Sequence, residues 1–74
     1  MMKSLNTLPI GEVGIIQEVN CNLRIKRRLF DIGFIPGSKV TPIYRGILGD
    51  PTAYFLRGIT IALRDSDAKQ ILIK

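Results

Sequence analysis

Asn22-Leu23-Arg24-Ile25-Lys26-Arg27-Arg28-Leu29-Phe30-Asp31-Ile32-Gly33-Phe34-Ile35-Pro36-Gly37-Ser38 is the stretch whose reading decides the fold. Asn22 suits an N-cap, because its side-chain oxygen can accept from the free N–H groups of a first helical turn. Ile25, Leu29 and Ile32 fall at i, i+4 and i+7 and so align as one apolar stripe. Gly33 supplies the left-handed residue of a Schellman ending, which sets Phe34 where it can fold back on Leu29. Pro36-Gly37 then reads as a type II turn, with proline fixing φ at one central position and glycine permitting φ > 0 at the next. The spacing predicts one short helix with an abrupt stop. Within it Arg24, Lys26, Arg27 and Arg28 follow one another with no acid among them.

On either side of this segment the pattern is that of strands. Before it, Gly11-Glu12 opens a first strand in which Val13, Ile15, Gln17 and Val19 alternate; Ile16 on the opposite face requires either cover on both sides or a bulge. After it, Lys39 to Arg45 is a second strand, and Pro42 inside it marks an edge or a bulge. Gly46-Ile47-Leu48-Gly49-Asp50-Pro51 is a turn cluster with two aliphatic residues at its tip. Thr52 to Leu56 is a third strand, Arg57-Gly58 a tight reversal, and Ile59 to Leu63 a fourth with Ile59, Ile61 and Leu63 on one face. Asp65 to Ala68 forms a short or 3-10 turn, and Gln70 to Ile73 closes the chain as a fifth strand. In the lead-in, Leu5 and Leu8 are spaced to tuck against the body. With no repeat or linker, residues 1–74 are read as a single domain: a mainly β, small SH3-like five-stranded barrel with one short α-helix between strands 1 and 2. Closure is expected because it hides strand edges.

At 74 residues, near the lower limit for a fold held by its core alone, burial has to be efficient. Eleven basic against six acidic side chains give +5, which admits nucleic acid, an acidic protein face or anionic headgroups as partners. Cys21 is the single cysteine, so no intramolecular disulfide forms, as suits a reducing cytoplasm. No apolar run exceeds about five residues, too few for a bilayer span or a signal-peptide core, and a soluble chain is expected.

The chemistry available is sparse. No histidine is present to activate Cys21 or a serine, and one cysteine without histidine cannot furnish a zinc-type ligand set. Asp65 and Asp67 are the one local carboxylate pair, better suited to capping than to a divalent cation. Gly46-x-x-Gly49 lacks the lysine and following helix of a phosphate loop. The expectation is a protein that is not an enzyme, with no cofactor and no assigned metal ligand. Its candidate sites are contact residues. Arg24, Lys26 and Arg27 spread around the solvent side of the helix, and Phe30 lies opposite the apolar stripe. Leu48 occupies a loop tip, and Phe55 alternates away from Tyr54 and Leu56. Nucleic acid is disfavoured as a partner by the lack of an aromatic stacking platform.

Leu8-Pro9-x-Gly11-Glu12-x-Gly14-x-Ile16, the run from Arg28 to Gly37, Leu48-Gly49-Asp50-Pro51, Arg57-Gly58 and Ala62-Leu63-Arg64, in this order, resemble the FeoA family from about Leu5 to Lys74. The resemblance implies a small cytoplasmic SH3-like protein that accompanies FeoB, the GTPase-linked membrane transporter for ferrous iron. It implies an accessory or regulatory role in iron uptake, by protein–protein docking on the cytoplasmic part of that transporter at the inner face of the membrane. The family is also associated with transition metal ion binding, for which this chain offers no histidine. Phe55 departs from the family's polar pattern on the outer side of the third strand and leaves a homo-oligomer open. Two alternatives remain: a small basic barrel binding nucleic acid, and a stand-alone relative of the C-terminal domain of iron-dependent repressors acting by self-association.

Overall fold

The computed structural model describes residues 2–74, and the capped segment forms as its residue order dictates. α1 spans Leu23–Asp31, and the Ile25 N–H donates to Asn22 Oδ1 at 3.1 Å. At the other end Gly33 has φ +104°, the Phe34 N–H donates to the Leu29 carbonyl at 2.8 Å, and the Gly33 N–H donates to the Phe30 carbonyl at 3.1 Å. These are the two bonds of a Schellman ending. They bury Phe34 beside Leu29 in the core. Gly37, at φ +94°, then completes the Ile35–Ser38 turn, closed by the Ser38 N–H on the Ile35 carbonyl at 3.0 Å.

Six strands surround this segment: β1 (Lys3–Ser4), β2 (Gly14–Val19), β3 (Lys39–Arg45), β4 (Thr52–Leu56), β5 (Ile59–Leu63) and β6 (Ile71–Ile73). They form one antiparallel sheet in the order β1-β6-β2-β3-β4-β5. This corrects the expectation of a closed five-stranded barrel in two respects. The lead-in contributes a strand, so α1 lies between β2 and β3, and the sheet is not closed. Closure would need β5 to pair with β1, but β1 is two residues long and is followed at once by a 3-10 turn, Leu5–Thr7. Side chains join the two ends instead. α2 (Asp65–Ala68) packs on that turn, and Asn6 Nδ2 donates to Asp65 Oδ1 at 3.1 Å. α2 is an α-helical turn where a looser or 3-10 turn was expected, and its Asp65 N–H is capped by Asp50 Oδ1 at 2.8 Å.

β2 takes the bulged of the two expected forms. Gly14, Ile16 and Val19 are buried, whereas Val13 and Ile15 are exposed. The register against β6 slips between Ile16 and Glu18, and this bulge returns Val19 to the inner face. The inward position 14 is a glycine because Leu8 and Ile73 leave no room for a side chain: a Cβ there would meet Ile73 Cδ1 at 2.9 Å. Pro42 is buried in an interior strand, and the shift between Pro42 and Tyr44 is the bulge that admits it. The core is aliphatic with two aromatic rings, Phe34 and Tyr54, and it includes Leu5 and Leu8. Arg45 reaches into its margin, donating to the Leu8 carbonyl at 2.7 Å and to Thr52 Oγ1 at 3.3 Å.

Candidate docking surface

α1 buries little of its circumference. Leu29 is buried and Ile25 partly so, while Ile32 at the end of the stripe remains exposed. The opposite face carries Arg24 and Arg27, both exposed, together with Phe30, 39% exposed. Lys26 lies one turn before Phe30, and its ammonium stands 5.6 Å from the ring centroid. That is cation–π range; it orients the ring and keeps a positive charge beside an apolar surface. The structure therefore brings Arg24, Lys26, Arg27 and Phe30 onto one element.

The other two candidates lie elsewhere. Phe55 is 46% exposed on the outer face of the sheet, opposite Thr41 on β3 and Thr60 on β5. Tyr54 and Leu56 point inward, as alternation predicts. Leu48 is 99% exposed in the 3-10 turn Ile47–Gly49, with φ +65°, and so contributes nothing to the core. The tip that carries Leu48 joins β3 to β4, whereas the Arg57–Gly58 reversal lies at the far end of β4, about 17 Å away at some 3.4 Å per residue. That reversal meets the C-terminus of α1, where Phe30, Gly33, Ile35 and Arg57 line one hollow. The Arg57 guanidinium is thus placed where the helix dipole favours a cation.

A second feature was not singled out from the sequence. Between α1 and β5 runs a groove of about 390 Å³, lined by Ile25, Ile32 and Ile61 with Arg28, Arg64 and Asp67 among its polar residues. Arg28 was visible as a member of the basic run. What was not visible is that β5 ends the sheet, so that the groove borders an open strand edge.

No group of three or more His, Cys, Asp or Glu side chains is brought together among the described residues. Asp65 is spent on Asn6 and Cys21 is buried, its Sγ donating to the Asp67 carbonyl at 3.6 Å. Burial pushes the Cys21 thiol up from its ordinary value, and the nearby Asp67 charge adds to the effect. A raised pKa leaves it a neutral packing group. The residues present do not fit a transition-metal site. No helix among the described residues is long and apolar enough to cross a membrane.

A family model described as the FeoA domain matches residues 3–74. The FeoA protein of Chlorobium tepidum has a solution structure similar to this chain, with TM-score 0.91 and 27% identity over 95% of this chain and 67% of that one. A crystal structure of Stenotrophomonas maltophilia FeoA complexed with zinc aligns with TM-score 0.84 and 29% identity, covering 96% of this chain and 88% of that one. That protein is described as a prokaryotic SH3 domain protein and a candidate ferrous iron transport activating factor, and the shared fold makes the present sheet SH3-like. A manganese-dependent transcriptional repressor aligns with TM-score 0.84 at 16% identity, over 97% of this chain and 40% of the repressor; at that identity the likeness concerns the fold alone. No match was found among curated protein sequences.

Proposed function

The chain belongs to the FeoA family, and on that premise we propose that it is a cytoplasmic, non-enzymatic accessory protein of ferrous iron uptake that docks on the cytoplasmic part of the FeoB transporter. The observation that carries this reading is the outward face of α1. Arg24, Arg27 and the Lys26–Phe30 pair present charge and an aromatic surface that the rest of the chain leaves uncovered. Such a face suits an acidic protein surface: the charges steer the encounter and Phe30 supplies desolvated contact area. Membrane association follows through the transporter.

Titration of the chain into the purified cytoplasmic domain of the transporter tests this. Association is expected at low salt, weakening as salt rises, and Arg24→Glu/Arg27→Glu should reduce affinity by about tenfold or more. No association at low salt, or an affinity indifferent to the double reversal, overturns it.

A further inference from the structure

β5 is an edge without the usual protection. Its sequence is Ile59-Thr60-Ile61-Ala62-Leu63, with no charge, no proline and an uninterrupted register against β4. Edge strands of soluble proteins are ordinarily shortened, charged, bulged or covered. The hairpin geometry says which backbone groups are free. Arg57–Gly58 is a two-residue loop with both residues at positive φ, so Leu56 and Ile59 form the closing hydrogen-bonded pair. Alternation makes Tyr54–Ile61 and Thr52–Leu63 hydrogen-bonded pairs as well. The N–H and C=O of Thr60 and Ala62 therefore point away from β4, and among the described residues no further strand follows β5 in the sheet.

These four groups open beside the groove under α1. A strand laid on this edge would alternate its side chains. One set would enter the groove against Ile25, Ile32 and Ile61; the other would continue the outer face past Thr60 and Ala62. The groove volume of about 390 Å³ falls at the lower end of the range for ligand sites, about 300–1,000 Å³, which suits a few side chains. Its charges are Arg28 and Arg64 against the single Asp67, and the exposed Arg57 stands at the end of the strand.

We propose that the β5 edge and the α1 groove bind an extended aliphatic segment of a partner protein, flanked by carboxylates, by adding it as a seventh strand. The proposal rests on the reading of the chain as a docking module and adds a second contact element to the outward face of α1. Charge selects this occupant over a second copy. Antiparallel β5–β5 pairing through Thr60 and Ala62 would join two chains of net charge +5 and set the Arg57 of each copy beside the Arg64 of the other, with Asp65 the one opposing charge there. An acidic-flanked segment meets the same rim with attraction, while its main chain satisfies Thr60 and Ala62 and its apolar side chains fill the groove.

The test uses amide-resolved NMR on the whole chain with a nine-residue synthetic peptide probe. The probe alternates threonine with valine or isoleucine at its centre and carries two glutamates at each end. The expected result is shift changes confined to β5 and the groove side of α1, with slowed hydrogen exchange at the Thr60 and Ala62 amides. A lysine-flanked version should bind about tenfold more weakly. A version N-methylated at the alternate amides that face β5, which removes those N–H donors, sets methyl groups against the edge and leaves the protein untouched, should not bind. The proposal is overturned by absence of shifts at about 1 mM probe, an affinity range already weak by any recognition standard. It is equally overturned by full binding of the N-methylated peptide, or by concentration-dependent protection of Thr60 and Ala62 without peptide, which would assign the edge to a second copy. Adding the transporter's cytoplasmic domain separates the two readings. Binding that leaves Thr60, Ala62 and the groove unshifted refutes strand addition by this partner while docking stands; no binding refutes docking on the transporter, and the peptide result alone then decides strand addition.

Discussion

Replacing Gly33 by alanine tests whether the Schellman ending holds the molecule together. Gly33 adopts φ +104°, a conformation that an L residue enters only with strain. A Cβ built there would lie 2.6 Å from Arg57 Cδ and 3.3 Å from Leu56 Cδ2. Backbone strain at such a position is about 1–3 kcal/mol. Moving Arg57 out of a preferred rotamer adds about 0.5–1.5 kcal/mol. Against these, alanine restricts the unfolded chain and returns about 0.4–1 kcal/mol. The net expectation is a loss of about 2–3 kcal/mol, a large share of the roughly 4–11 kcal/mol that a domain of this length commands. At about 4–8 °C per kcal/mol for domains of this size, the melting temperature should fall by about 10–20 °C. Urea unfolding with an unchanged m-value is the assay. Gly11→Ala is the control, because Gly11 also has positive φ, +88°, but its Cβ would meet nothing within 4 Å. It should cost less than Gly33→Ala, and the difference should shrink in an Arg57→Ala background. A loss below about 0.5 kcal/mol at Gly33, or equal losses at both glycines in either background, would refute the reasoning.

Arg45→Met should destabilise by about 1–3 kcal/mol, because the Leu8 carbonyl and Thr52 hydroxyl lose their donor at the core margin; chemical denaturation reads this directly. Cys21 predicts an alkaline effect. Its folded pKa lies above its unfolded one, so above the ordinary thiol range the unfolded state releases a proton that the folded state retains. Its contribution is fully present below that range and is lost as pH rises through it. Stability should therefore fall above about pH 8.5, and Cys21→Ala should lessen that slope. The native thiol should also react slowly with a thiol-specific reagent.

The helix, its cap and its stop were legible because each rests on residues within one turn: Asn22, Gly33 with Phe34, and Pro36-Gly37. β3, β4 and β5 were bounded by their turn residues for the same local reason. The sequence leaves β2 open between cover on both faces and a bulge, since Val13 and Ile15 are as apolar as Ile16, and only pairing with β6 places the bulge beyond Ile16. β1 has two residues and carries no periodicity to detect. Among the contact candidates, four share α1 because helical periodicity is local. Leu48 was placed at a loop tip and Phe55 on the face away from Tyr54 and Leu56, but their separation from the helix depends on the strand order and on which end of β4 each turn occupies. The open edge of β5 was hidden for a deeper reason. Edge status belongs to the strand order, and no residue of Ile59–Leu63 signals it.

The most direct test of the docking account is ferrous iron uptake in cells that carry the transporter but lack this chain. Complementation with the unaltered chain should restore the uptake rate. Complementation with Arg24→Glu/Arg27→Glu should not, although both positions are exposed and circular dichroism and urea unfolding should find the variant folded. Equal rates with the two chains, at equal cellular levels, would contradict the account.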